Sequence, residues 1–324
     1  MEKRKLFKSL IVISMLAIFM ASISSCAKVE TQDTSNKDVI TVTDSKGNTI
    51  EFKQTPKTVV ILESSFAGIY LNAGGEYKGI PSNYEDYGLE LNNAVNIGDY
   101  KTPNKEIILS LNPDLIIYST KKSLEGHKAI VEELSSLNMG INFYGVDINS
   151  FEDYLYTLEQ FTKITGNKDA YQTYGLDIQK QIDDIIKQVP ETKDKKVLFI
   201  RARSNAYDVI SSDNFVVSML EELNTINIGE NVVAEKDSAR IINEEFILEY
   251  NPDYIFIVYM GNSTDKIEAN LKSTLYDKEF FNQLNAVKND KVYILDKQLF
   301  NNKPNERWAQ AYQILFDYLY GETN

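Results

Sequence analysis

The sequence predicts an α/β protein of two Rossmann-like lobes joined by a single long α-helix, with a ligand cleft between the lobes. Three observations lead there. Residues 104–116 (NKEIILSLNPDLI) and 243–255 (NEEFILEYNPDYI) share Asn, Glu, Ile, Leu, Asn, Pro, Asp and Ile at the same spacing, 139 residues apart. Each copy runs into a β-rich stretch, residues 115–118 and 254–259, so one helix-to-strand unit occurs twice at half-chain spacing. Between the copies, Phe151, Tyr154, Leu155, Leu158 and Phe161, and then Tyr171, Tyr174, Ile178, Ile182, Ile185 and Ile186, keep the helical period.

Taken in order, residues 1–25 read as a signal peptide. Lys3, Arg4, Lys5 and Lys8 form a basic head, and the apolar stretch 10–21 is shorter than the roughly 20 residues a membrane-spanning helix takes. Ile23, Ser24, Ser25 and Cys26 resemble a bacterial lipobox, in which Cys26 is acylated and becomes the first mature residue. The alternative is an ordinary signal peptide with an incidental Cys, but the chain's one Cys stands where a lipobox needs it. Two or more acyl chains at one site hold a protein on a membrane without spanning it. Residues 26–38 are polar, with one Val and no aromatic, and read as a tether.

The N-terminal lobe, 39–166, opens with a hairpin around Asp44, Lys46, Gly47 and Asn48. A buried type of strand, 58–62, feeds Ser64 and Ser65 into an apolar helix closed by Gly74 and Gly75. In each repeat Asn104 or Asn243 can cap a helix, a Glu follows in its first turn, and Pro113 or Pro252 forces the chain out of the α region. The linking helix occupies 167–190 and stops at Pro190. The C-terminal lobe, 191–324, begins with the strand 196–201 and finishes with the strand 291–295 and a helix over about 306–320. A helical link bends less readily than paired strands, so lobe closure is expected to be small.

Composition narrows the chemistry. The 324 residues, 43% hydrophobic with 7 Pro and 15 Gly, have room for two folded domains. The 34 basic and 47 acidic residues give a formal charge of -13, which repels phosphate backbones and argues against nucleic-acid binding. Without residues 1–25 the balance is 30 against 46, or -16. One Cys and one His exclude a disulfide framework, a multi-His metal site and any Cys/His or Ser/His device that needs more than one imidazole. An extracytoplasmic enzyme on the same scaffold is the remote alternative, since no paired acid/base motif or Gly-rich phosphate loop is visible.

Open α/β sheets bind ligands beyond the carboxyl ends of their strands. The candidates there are Ser65, Phe66, Tyr84, Tyr118, Lys121 and Lys122 in the first lobe, and Arg201, Arg203, Tyr207, Tyr259 and Lys303 in the second. Two of the four Arg in the mature chain, Arg201 and Arg203, end one strand of a strongly acidic protein, which suits an anionic ligand. The competing reading pairs one of them with Asp208 or Asp213. His127 is either a solvated helix residue or a donor or axial ligand in the cleft. Trp308 reads as a packing residue.

The lipobox, two lobes, linking helix and paired Asn-x-Glu…Asn-Pro-Asp segments, with Lys303, Pro304, Asn305, Glu306, Arg307 and Trp308 near the end, resemble substrate-binding proteins of ABC importers for iron-siderophore complexes, heme and cobalamin. The resemblance covers nearly the whole mature chain. It implies a monomeric receptor on the outer face of the cytoplasmic membrane, with no intrinsic cofactor, whose Glu106 and Glu245 dock into arginine pockets on a permease dimer served by ATPase subunits. The plainer role for both acids is in the first turn of a helix, worth about 0.3–1 kcal/mol each. The ligand it implies is first a ferric siderophore, second heme held by a Tyr, Met260 or His127, and third a cobamide.

Overall fold

The computed structural model describes residues 39–321 apart from 237, 238 and 243. The 1–25 segment, the 26–38 tether with Cys26, and Asn243 lie outside the described residues. The body opens on a hairpin, β1 (Ile40–Thr43) and β2 (Thr49–Phe52), with Ile40 opposite Phe52 and Thr43 opposite Thr49. Asp44 builds its turn, since its buried Oδ1 accepts from the amides of Lys46 and Asn48 while Gly47 takes a left-handed φ of 82°.

Five parallel strands form the first sheet. They are β3 (Val59–Ile61), β4 (Gly79–Ile80), β5 (Val95–Asn96), β6 (Leu115–Ser119) and β7 (Asn142–Val146), in the order β5-β4-β3-β6-β7. Helices α1 (Ser64–Asn72), α2 (Lys105–Ser110), α3 (Glu125–Ser136) and α4 (Phe151–Thr165) belong to this lobe. The winding reverses between β3 and β6, the switch point at which such sheets leave a crevice.

Gly166, with φ 79°, ends α4, and the link follows as α5 (Lys168–Tyr171), a π-helical stretch over Gln172–Leu176, and α6 (Asp177–Ile186). The π stretch has a local cause. A Cβ on Gly175 would come within 2.8 Å of Leu155, so the link lies unusually close to α4, and Tyr154 donates to the Tyr174 carbonyl at 2.8 Å.

The second sheet contains β8 (Lys196–Ala202), the antiparallel β9 (Tyr207–Val209), and β10 (Ile226–Asn227). A separate hairpin, β11 (Val233–Lys236) and β12 (Ala239–Ile242), precedes β13 (Tyr254–Tyr259) and β14 (Val292–Leu295). The main order is β10-β8-β13-β14, and its reversal falls between β8 and β13. Helices α7 (Phe215–Glu222), α8 (Glu244–Tyr250) and α9 (Trp308–Tyr320) belong to this lobe, together with shorter helical stretches over Thr264–Leu271, Asn285–Lys288 and Lys297–Phe300.

The repeat now has a structural meaning in both lobes. Asn104 caps α2 by accepting from the Ile107 amide at 3.1 Å. The helices end at Ser110 and Tyr250, and the residue directly before each proline, Asn112 (φ 49°) and Asn251 (φ 44°), leaves the right-handed α region to turn the chain. Each Asp then fastens the start of the neighbouring strand. Asp114 accepts from the amides of Lys57 and Thr58 at 2.8 and 2.9 Å, and Asp253 accepts from Lys196 at 3.0 Å.

The lobes share one apolar core. Trp308 is fully buried, with ring centroids 5.7 Å from Phe151, 5.9 Å from Tyr154 and 5.7 Å from Phe215, so it packs on both lobes at once. A Cβ on Gly68 in α1 would collide with the Asn305 side-chain amide, another sign of how tightly the terminal segment lies on the first lobe.

Candidate ligand cleft

The two switch points bring together the chain after β3, the chain after β6 and the end of β8. Extended backbone at Glu63 (φ -131°, ψ 113°) carries the chain from β3 into α1. The Glu63 side chain is 9% exposed and takes a hydrogen bond from Ser65 Oγ at 3.4 Å. Ser64 Oγ donates to Asn83 Oδ1 at 2.9 Å. Beyond β6, Lys121 donates to Asn149 Oδ1 at 2.9 Å and lies 3.8 Å from Asp147.

Lys303 reaches this group from the segment before α9. Its ammonium donates to the Ile148 carbonyl and sits 4.4 Å above the Phe215 ring. Burial pushes that ammonium well below the ordinary lysine value and Lys121 and Arg201 push it further, while Asp147 and Glu63 oppose them. Burial raises the Glu63 carboxyl to about 7, against the pull of Lys303, Ser65 and Lys121. Lys121, Arg201 and Lys303 therefore bring basic side chains from both lobes together, with Glu63 and Asp147 among them.

Arg203 is held differently. Asp208 grips its guanidinium at 2.8 Å through both carboxylate oxygens, the local pairing that its competing reading anticipated. Tyr207 and Tyr259 are half-buried against an apolar cluster of the C-terminal lobe that includes Leu198, Ile200 and Ile257, and the Tyr259 hydroxyl approaches Glu268 at 3.5 Å. Tyr84 is half-buried and bonds Glu85, while Lys122 is exposed. Ser65 is buried beside Glu63. Phe66 and Tyr118 correct the expectation: at 3% and 7% exposure they belong to apolar cores. Phe66 is the third residue of α1, where the helix turns it inward, and Tyr118 lies near the first hairpin with Lys46 over its ring.

His127 is neither solvated nor open to a ligand. It is fully buried, its Nδ1 accepts from the Ser119 amide at 3.1 Å, and Nε2–H is therefore left to donate to the Tyr100 carbonyl at 2.6 Å. Burial holds its pKa below the ordinary value against the opposing pull of the Tyr100 and Leu62 main chain. The unfolded chain thus binds a proton more readily, so His127 contributes stability above about pH 6.5 that is lost as pH falls from there towards the folded value. In urea unfolding at about pH 5.5 and about pH 7.5, His127→Gln is expected to remove this part of the acid-side loss. An equal loss in parent and variant would contradict the assignment.

One lip of the cleft is fastened by contacts that sequence reading did not anticipate. Asp86, in the turn Tyr84–Tyr87, accepts from Asn262 Nδ2 at 3.0 Å and lies 3.7 Å from Lys297. Its main-chain carbonyl accepts from Gln298 at 2.8 Å and Asn302 at 2.7 Å. A depression of about 340 Å³ on the first lobe, lined by Asp44, Ser45, Asp147, Asn149, Asp153 and Tyr156, is acidic and unsuited to an anion. Glu63 was also missed, although an acid directly after the apolar run 59–62 was a visible signal.

Two doubly wound lobes with charged side chains of both gathered at their junction have the architecture of a two-lobed binding protein. Residues 59–299 match the periplasmic binding protein family, and the chain belongs to it. The Fe(3+)-citrate-binding protein YfmC of Bacillus subtilis is 25% identical over 307 residues, covering 90% of each chain. Staphylococcus aureus SirA complexed with staphyloferrin B superposes with a TM-score of 0.67 at 19% identity, covering 86% of this chain and 98% of that one. S. aureus IsdE complexed with heme gives 0.68 at 19% identity, covering 82% and 99%. The family and these relatives are substrate-binding proteins, not enzymes. Among the described residues no helix is long and apolar enough to cross a membrane.

Proposed function

We propose that the protein is an extracytoplasmic receptor, lipid-anchored through Cys26, that captures an anionic iron chelate of the ferric-siderophore type between its lobes. It delivers the chelate to an ABC permease dimer with its ATPase subunits, docking through Glu106 and Glu245. The observation that carries the ligand reading is the convergence of Lys121, Arg201 and Lys303 from two lobes of an acidic protein. Arginine and lysine there meet carboxylate or catecholate oxygen with charge-assisted hydrogen bonds. The relationship to the Fe(3+)-citrate-binding protein supports the same class of ligand.

Absorbance and fluorescence separate this reading from its rivals. Ferric citrate is expected to quench the Trp308 and tyrosine emission, whereas a Soret band on addition of heme would assign the cleft to heme instead. Arg201→Ala is expected to weaken ferric citrate by about 1–3 kcal/mol. Arg203→Ala should fall short of that, because Asp208 already occupies the guanidinium. Parental affinity in Arg201→Ala would remove the cationic reading.

A further inference from the structure

We propose that Glu63 makes capture of the anionic chelate proton-coupled, so that the cleft takes up the ligand and one proton together. The inference rests on the anionic-chelate reading above and adds a linkage that the reading does not require. Glu63 stands at the carboxyl end of β3, buried, with the Ser65 hydroxyl as its side-chain hydrogen-bond partner. The charged and titratable groups facing it come from three other elements: Lys121 after β6, Lys303 before α9, and Tyr87 from the turn Tyr84–Tyr87. Arg201 at the end of β8 and Asp147 after β7 complete the field through Lys303.

Neither lysine is spent on Glu63. Lys121 is turned to Asn149 and Asp147, and Lys303 to the Ile148 carbonyl and the Phe215 ring. The carboxyl therefore sits near basic side chains without a direct ion pair, and burial raises it to about 7. An anionic ligand drawn to the same side chains brings negative charge close to Glu63. Like charges in a desolvated site disfavour joint ionisation, so the proton is retained, or taken from solvent onto a carboxylate oxygen as the ligand seats. Above pH 7 the free protein must first acquire that proton, and affinity falls as pH rises.

Calorimetry of the parent protein with ferric citrate, in two buffers of different ionisation enthalpy at about pH 8, measures the proton directly. Net uptake approaching one proton per ligand is expected in the parent, and about one less in Glu63→Gln, which keeps the size of the side chain. Between about pH 6 and about pH 8 the parent should lose about tenfold more affinity than Glu63→Gln, because the ligand's own ionisation is common to both. Equal uptake and equal pH dependence in the two proteins would overturn the proposal, and so would an absence of uptake in the parent, a result that stands even if the variant does not fold. Failure of the parent to bind ferric citrate at any pH would instead count against the chelate reading on which this one stands.

Discussion

A double reversal, Glu106→Lys with Glu245→Lys, will bind ferric citrate with parental affinity and fail to support its uptake. Both acids are exposed in the first turns of α2 and α8, at matching places in the repeat. Each of these helices feeds a parallel strand and must run against it, so the first turn lies at the carboxyl end of the sheet. That is the end at which the cleft opens, and a permease that reads one acid on each lobe would sit over the cleft mouth. A lysine in place of each glutamate turns an attraction for arginine into a repulsion, at about 2–5 kcal/mol for each contact that becomes buried in the complex. Radioactive iron citrate uptake by cells carrying only the variant provides the measurement. Transport at the parental rate would end the docking assignment, and weakened chelate binding would show that the reversal had disturbed the cleft itself.

Trp308→Ala will lose about 3–5 kcal/mol of folding stability, the largest single-site cost expected in the molecule. The ring is fully buried between aromatic residues of both lobes, so its removal leaves a void at the joint that neither lobe can fill alone. Urea unfolding followed by circular dichroism is the suitable measurement, since the variant has lost the chain's one Trp. Trp308→Phe should cost less, because a second aromatic fills much of the space and the indole Nε1 has no hydrogen-bond partner to lose. A parental midpoint for Trp308→Ala would mean that the joint is held elsewhere, for instance by packing of α9 on the linking helix.

The architecture was legible because it is written locally and twice. Asn112 and Asp114, like Asn251 and Asp253, act on backbone close to themselves or on an adjacent strand, and their pattern survives in the string of letters. The cleft was legible only in its cations. Lys121 lies just beyond β6 and Arg201 at the end of β8, where the α/β rule looks for ligands, while Lys303 comes from the segment before α9. Phe66 and Tyr118 follow the same rule and still turn inward, because proximity to a strand end does not set which face a side chain takes. His127 shows the same limit, since its buried role depends on Tyr100 and Ser119 approaching from outside its helix. The contacts at Asp86 span 176, 212 and 216 residues, and nothing short of the folded chain pairs them.

The form of the Asp86 contact has a consequence for how the surface can drift. Two of its bonds fall on a main-chain oxygen that any amino acid would present. Replacing the aspartate would leave that half of the grip in place, whereas replacing Gln298 and Asn302 would take it away. The partner amides, rather than the acid they hold, are the positions at which mutation would separate the two lobes along this edge.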